Sequence, residues 1–88
     1  MSLYKVEWKN SARKELKKLD KQIIPRILRA VENLAEDPYS SNSKKLVGSN
    51  SIYRIRVGDY RIIYNVESSI LTIEVIKVGH RRQVYQKK

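Results

Sequence analysis

The chain predicts a small α+β domain: an N-terminal strand, a two-helix hairpin, then a three-stranded antiparallel meander with both helices on one sheet face. Three observations carry this. Apolar residues recur at helical spacing through the first half of the chain, up to Asp37-Pro38. Period-two alternation takes over on both sides of Gly58-Asp59, a two-residue pair of the kind that closes a hairpin. The 88 residues suffice for one core, so residues 1–88 read as a single domain.

The elements follow in order. Tyr4-Lys5-Val6-Glu7-Trp8 alternates apolar and charged residues and predicts a short strand, with Trp8 packing between helix and sheet. Asn10 or Ser11 is suited to cap the next helix, which places Ala12, Leu16 and Leu19 on one face. Lys14, Lys17, Lys18 and Lys21 fall on its solvated side. Asp20 offers a second cap, and Pro25, lacking an N–H, is tolerated only near a helix start. The second helix runs from about Ile23 to Glu36, with Ile24, Ile27, Leu28, Val31, Leu34 and Ala35 at helical spacing, and Asp37-Pro38 ends it. Residues 39–51, rich in Ser and Asn, read as a loop crossing to the sheet, with Lys44-Lys45-Leu46-Val47-Gly48 inside it. The hairpin comes next, then a strand from Ile70 to Val78 after a turn at Glu67-Ser68-Ser69-Ile70.

The hairpin, Tyr53-Arg54-Ile55-Arg56-Val57-Gly58-Asp59-Tyr60-Arg61-Ile62-Ile63-Tyr64, has a register that spacing alone dictates. With Gly58-Asp59 at the tip, Val57 faces Tyr60, Arg56 faces Arg61, Ile55 faces Ile62, Arg54 faces Ile63 and Tyr53 faces Tyr64. Side chains alternate faces, so Tyr53, Ile55, Val57, Tyr60, Ile62 and Tyr64 share the helix-covered side. Arg54, Arg56, Arg61 and Ile63 share the open side. Like charges placed directly opposite destabilise a sheet by a few tenths of a kcal/mol up to about 1. A solvated strand face also tolerates arginine, but more often mixes Lys, Glu, Thr and Ser. The concentration of guanidiniums points to a polyanion, of which a phosphate backbone is the commonest. With Ser68-Ser69 at the tip of the next turn, Arg61 faces Ile76, Tyr64 faces Ile73, and Leu71, Ile73 and Val75 join the apolar side.

Charge supports this location. The formal net charge is +10; residues 1–43 contribute +3 and residues 44–88 contribute +7. The absence of cysteine rules out a disulfide framework and thiolate metal ligation, and one histidine with scattered carboxylates makes no metal-ligand set, so neither metal nor cofactor is expected. No apolar run is long enough to span a membrane and the N-terminus lacks the signal-peptide pattern, so a reducing, cytoplasmic location is expected with no membrane partner.

The tail, Gly79-His80-Arg81-Arg82-Gln83-Val84-Tyr85, is the second informative stretch. A glycine at a strand end permits a sharp change of direction, which would carry His80, Arg81 and Tyr85 across the open face beside Arg61. No paired carboxylates and no Ser, Cys or Thr nucleophile stand out. Guanidiniums, an imidazole and a phenol suit RNA, because RNA brings its own nucleophile in the 2′-OH. Arginines stabilise developing phosphate charge by charge-assisted, bidentate hydrogen bonds.

These two motifs, in this order and spacing, resemble the RelE branch of the RelE/ParE toxin superfamily, and the similarity extends over nearly the whole chain, including the Lys45-Leu46-x-Gly48 approach to the sheet. The resemblance implies a toxin of a type II toxin–antitoxin pair that enters the ribosomal A site and cuts mRNA, leaving a 2′,3′-cyclic phosphate and a 5′-OH. It implies a cognate antitoxin that binds and neutralises it; on charge grounds an acidic segment laid along the basic groove would be a physically reasonable inhibitor. By the same resemblance Arg54 and Arg56 contact mRNA and ribosomal RNA, Arg61 stabilises the scissile phosphate, Arg81 assists the leaving group, and Tyr85 orients the nucleotide and activates the 2′-OH. His80 and Lys45 join the phosphate-binding set. The family often has lysine where this chain has Arg54 and Arg56; arginine stays protonated, which removes a lysine-based proton shuttle there. The alternative is a non-enzymatic toxin of the ParE type that poisons a topoisomerase on the same scaffold.

Overall fold

In a computed structural model that describes residues 3–40 and 42–84, strand β1 (Lys5–Trp8) leads into helix α1 (Asn10–Lys17) and then α2 (Ile24–Glu36). The chain returns through β2 (Lys44–Lys45), β3 (Ile52–Val57), β4 (Tyr60–Glu67), a 3₁₀ turn (Ser68–Ile70), β5 (Thr72–His80) and α3 (Arg81–Val84). The expected α+β order is present, but the sheet has five strands, in the order β1-β5-β4-β3-β2. β1 lies parallel to β5, and the other neighbours are antiparallel. The loop expected over residues 39–51 therefore contains a short strand, β2, which pairs Lys44 with Arg54 and Lys45 with Tyr53. Two residues of pairing are too few to leave a periodic signal in the sequence.

Both helices end as their residues dictate, but their starts differ from expectation. Lys9, not Asn10 or Ser11, is the α1 cap residue, and no side chain caps it. Its N–H is still bonded to the Val75 carbonyl (3.0 Å) while its own carbonyl accepts the Arg13 N–H (2.9 Å). The chain thus passes from sheet to helix within one residue, with no room for a polar cap. Asp20 is not the cap of α2 either; Ile23 is. The Asp20 carboxylate accepts the Gln22 N–H (3.2 Å) and closes the turn before the helix. Pro25 sits in the first turn of α2, and Asp37 ends it ahead of Pro38.

The helices cover one sheet face. Ala12, Ile27, Val31 and Leu34 pack on Ile55, Ile62, Tyr64, Val66, Ile73, Val75 and Val78, with Tyr53, Val57, Tyr60 and Trp8 half-buried around them. The aromatic side of the hairpin is thus core, as predicted. Leu28 and Leu71 are corrections: they remain 39% and 42% exposed. Leu28 lines an apolar groove with Tyr4, Val6 and Trp8, and Leu71 is held in the left-handed conformation at φ 49°.

The β3–β4 register is the predicted one at every pair from Tyr53–Tyr64 to Val57–Tyr60. Gly58 takes φ 59° and Asp59 does not go positive, the pattern of a type II′ turn. The β4–β5 register differs: Arg61 faces Gly79 rather than Ile76, and Tyr64 faces Val75 rather than Ile73. The 3₁₀ turn and left-handed Leu71 lengthen the connection, shifting the pairing by two residues without changing faces. Pairing then jumps from Ile63–Lys77 to Tyr64–Val75, leaving Ile76 as a bulge that turns Val78 inward and Lys77 outward.

Beyond the end of β1 the outer edge of β5 is covered by α1. One Glu15 carboxylate oxygen accepts the Val78 N–H (2.9 Å) and the other accepts from Lys77 Nζ (3.2 Å). At the far side of the core the Tyr64 hydroxyl donates to the Pro38 carbonyl (2.7 Å), tying the sheet to the end of α2. Burial, foremost, pushes the Tyr64 phenol up to about 12.

Two outcomes follow from these ties. Glu15→Gln keeps an acceptor for Val78 and should cost less than about 1 kcal/mol, whereas Glu15→Ala orphans that N–H and should cost about 1–3 kcal/mol in urea unfolding. Tyr64→Phe should cost about 0.5–1.5 kcal/mol at neutral pH. A phenol whose folded value is raised contributes stability below pH 10 that is lost as pH climbs through about 12. Unfolding midpoints should therefore fall more steeply from pH 10 to 12 in the wild type than in Tyr64→Phe.

Candidate functional site

The uncovered face of the sheet carries two cross-strand rows that define the candidate site. One row runs Lys44, Arg54, Ile63, Lys77, and the next runs Arg56, Arg61, Gly79. Lys44, Arg54, Arg56 and Asn42 line an open cleft of about 350 Å³. Arg56 is exposed and Arg54 half-buried. The same face is acidic at its other end, where Glu7 pairs with Glu74 and Glu67 faces Thr72. An anionic chain is therefore favoured over the Lys44, Arg54 and Arg56 region and disfavoured at the end carrying Glu67 and Glu74, where Lys5 offsets only Glu7.

Arg61 stands on the expected face but is not open to solvent, being only 6% exposed. One terminal nitrogen, Nη1, donates to the Gly58 carbonyl (3.2 Å) and the Tyr60 carbonyl (3.0 Å), folding the guanidinium back over the hairpin turn. Directly opposite, Gly79 offers no side chain to crowd it. Nε is buried without a hydrogen-bond partner among the described residues. The ion pairs among those residues, Lys5–Glu7 and Lys77–Glu15, involve neither Arg56 nor Arg61. A buried donor left unmet costs about 1–3 kcal/mol, and a buried charge without a counter-ion costs more. An anion at this point would relieve both. Sequence spacing located Arg61 on the correct strand face; its burial and its back-folded contacts are visible only in the structure.

The tail is arranged differently from expectation. The strand does not turn at Gly79 but continues to His80, which pairs with Tyr60. His80 is consequently on the helix side of the hairpin, not beside Arg61, and its ring meets the Tyr60 ring edge-on with centroids 5.6 Å apart. The chain turns at Arg81, whose N–H bonds to the Asp59 carbonyl (2.8 Å) and whose side chain is exposed at the start of α3. Lys45 is opposite Tyr53, on the other face from Arg54; Lys44, which spacing did not single out, is the lysine aligned with Arg54. The strand β2 that orders this pair was the missing signal. Tyr85 lies outside the described residues. The lysines of α1 and its C-terminal turn, Lys14, Lys17, Lys18 and Lys21, are exposed as expected of a solvated helix side. Among the described residues no helix is long and apolar enough to cross a membrane, and no group of three His, Asp or Glu is placed to hold a metal ion.

Two helices on one side of a five-stranded sheet is an architecture shared with solved RelE toxins. The family model described as the ParE toxin of type II toxin–antitoxin systems, parDE, matches residues 6–85. A RelE-like toxin of Escherichia coli is 33% identical over 82 residues, covering 91% of this chain and 85% of the relative. The isolated RelE toxin of E. coli superposes with a TM-score of 0.79 at 26% identity, over 88% of this chain and 83% of that one. The toxin–antitoxin complex RelBE2 from Mycobacterium tuberculosis gives a TM-score of 0.78 at 28% identity, over 89% and 98%. The chain belongs to the RelE/ParE superfamily of toxin–antitoxin toxins, in its RelE branch.

The burial of Arg61 yields a direct test of whether it serves the fold or a ligand. Arg61→Met fills the same volume and removes an unpaired buried charge, so its urea midpoint should match or exceed the wild type, by up to about 1–2 kcal/mol. A loss of that size would mean that the clamp on the Gly58 and Tyr60 carbonyls holds the hairpin together.

Proposed function

We propose that this toxin is an endoribonuclease that cuts mRNA in the ribosomal A site by attack of the 2′-OH on the adjacent phosphorus. The observation that carries the proposal is the Arg56–Arg61 pair: two arginines directly opposite in the register, one of them buried with an unmet Nε donor and no carboxylate partner among the described residues. In the proposed step the 2′-oxygen forms a bond to phosphorus and loses its proton. The bond from phosphorus to the 5′-oxygen breaks and that oxygen gains a proton, leaving a 2′,3′-cyclic phosphate and a 5′-OH. Arg61 donates to a non-bridging oxygen as charge builds, and Arg56 supports it from the facing strand. Arg54 and Lys44 hold flanking phosphates in the cleft. Arg81 stands for the leaving-group side and Tyr85 for orienting the nucleotide, as the family resemblance implies.

Arginine remains protonated at any physiological pH, so the guanidiniums contribute charge and alignment rather than proton relay. Alignment is a substantial source of rate, since correctly held reactants gain about 7–11 kcal/mol. Guanidiniums supply no proton relay, so on this reading the ribosome completes the geometry, and cleavage occurs there rather than on free RNA. The same basic half of the sheet suits an acidic segment of a cognate antitoxin, in keeping with relatives solved as toxin–antitoxin complexes. Cytoplasmic location goes with such a target. A second reading, poisoning of a topoisomerase, is favoured by the family model's own description as the ParE toxin.

The two readings separate in one assay. Purified protein should cut message on programmed ribosomes, with mapped ends bearing 2′,3′-cyclic phosphate, and leave free RNA almost intact. Intact message together with inhibited DNA gyrase would favour the second reading. Arg61→Ala should slow single-turnover cleavage by about 10²–10³, and Arg81→Ala by a comparable factor, with circular dichroism unchanged.

A further inference from the structure

His80 is the only histidine of the chain and, on the register, faces away from the guanidinium surface. Its imidazole has a different partner: Nδ1 accepts the backbone N–H of Arg82 at 3.3 Å. Arg82 is the second residue of α3, so this is one of the N–H groups that the first turn of any helix leaves unmet. Helix α3 spans four residues and starts with two arginines, which the positive end of a helix disfavours. Such a segment has little stability of its own. Its start is tied at two points, the Arg81 N–H on the Asp59 carbonyl and the Arg82 N–H on His80. The edge-on packing of His80 against Tyr60, with an interplanar angle of 75°, fixes the ring that makes the second tie.

We propose that His80 is a positioning residue: its Nδ1 caps α3 and thereby sets the direction in which Arg81 leaves the sheet. It does not bind phosphate. This role rests on the nuclease reading only for its effect on rate; the cap itself does not. Accepting through Nδ1 requires that nitrogen to be unprotonated, so the neutral ring carries its proton on Nε2. Nothing in the role needs an imidazole as such. A short side chain with an acceptor oxygen would serve, and Asn is among the preferred helix caps.

The test compares His80→Asn with His80→Ala, using ¹⁵N NMR of the free protein and single-turnover cleavage on programmed ribosomes. In the wild type the single imidazole should show protonated Nε2, unprotonated Nδ1 and an Arg82 amide shifted by hydrogen bonding. His80→Ala should lose that amide shift and cut about five- to tenfold more slowly, the effect of losing a cap. His80→Asn should retain both within about twofold. If His80→Asn is as slow as His80→Ala while its Arg82 amide remains bonded, the imidazole itself acts in the reaction and the proposal is wrong. An Nδ1–H tautomer in the wild type, or an Arg82 amide indifferent to His80→Ala, overturns the cap directly. Uncut message with the wild-type protein would remove the nuclease reading and the rate effect with it, and the NMR comparison would still decide the cap.

Discussion

A two-residue turn sets the geometry on which the rest of this molecule depends. Gly58 at φ 59° closes β3 onto β4 with the twist a hairpin needs, and that closure leaves one register. Because side chains alternate with period two, the register assigns every residue of both strands to a face at once. It puts Ile55, Ile62 and Tyr64 into the core and sets Arg56 opposite Arg61 on the other side. The hydrophobic and cationic faces are thus one decision. Slipping by one residue would bury the arginines and expose the core, a change the molecule has no means to tolerate.

The price of that arrangement is electrostatic and is paid at Arg61. Its guanidinium is out of water, opposite another arginine, and satisfied only in part by the carbonyls of the turn. Residues held in this way resist solvation and keep a fixed orientation, which is what stabilisation of developing phosphate charge demands. Elsewhere the structure meets its polar groups economically: Glu15 covers the exposed edge of β5, and Tyr64 meets the Pro38 carbonyl. The contrast sets the hairpin apart as the place where a buried polar group, Arg61 Nε, has no partner among the described residues.

The face has polarity as well as charge. Lys44, Arg54, Arg56 and Arg61 occupy one half, and Glu7, Glu67 and Glu74 occupy the other. On the proposed function a polyanion would lie over the half nearest the hairpin, away from the carboxylates beside the parallel β1–β5 pairing. The chain leaves β5 beside the hairpin turn, with His80 against Tyr60 and the Arg81 N–H bonded to the Asp59 carbonyl.

Local chemistry was enough to determine the helix stripes, the end of α2 at Asp37-Pro38, the hairpin register and the side of the sheet on which the arginines stand. Each depends on residues within a few positions of one another, through backbone dihedrals and period. The tertiary structure alone decided what depends on distant segments. Lys9 caps α1 because Val75, far along the chain, takes its N–H. Residues Lys44–Lys45 become a strand because Arg54 and Tyr53 are there to pair with. The bulge at Ile76 and left-handed Leu71 reset β5, so that Gly79 rather than Ile76 faces Arg61 and His80 falls on the opposite side. A loop longer by two residues and one unpaired residue have almost no sequence signature. They are settled by which register buries Ile73, Val75 and Val78 together, a choice made by the whole core and by no single turn.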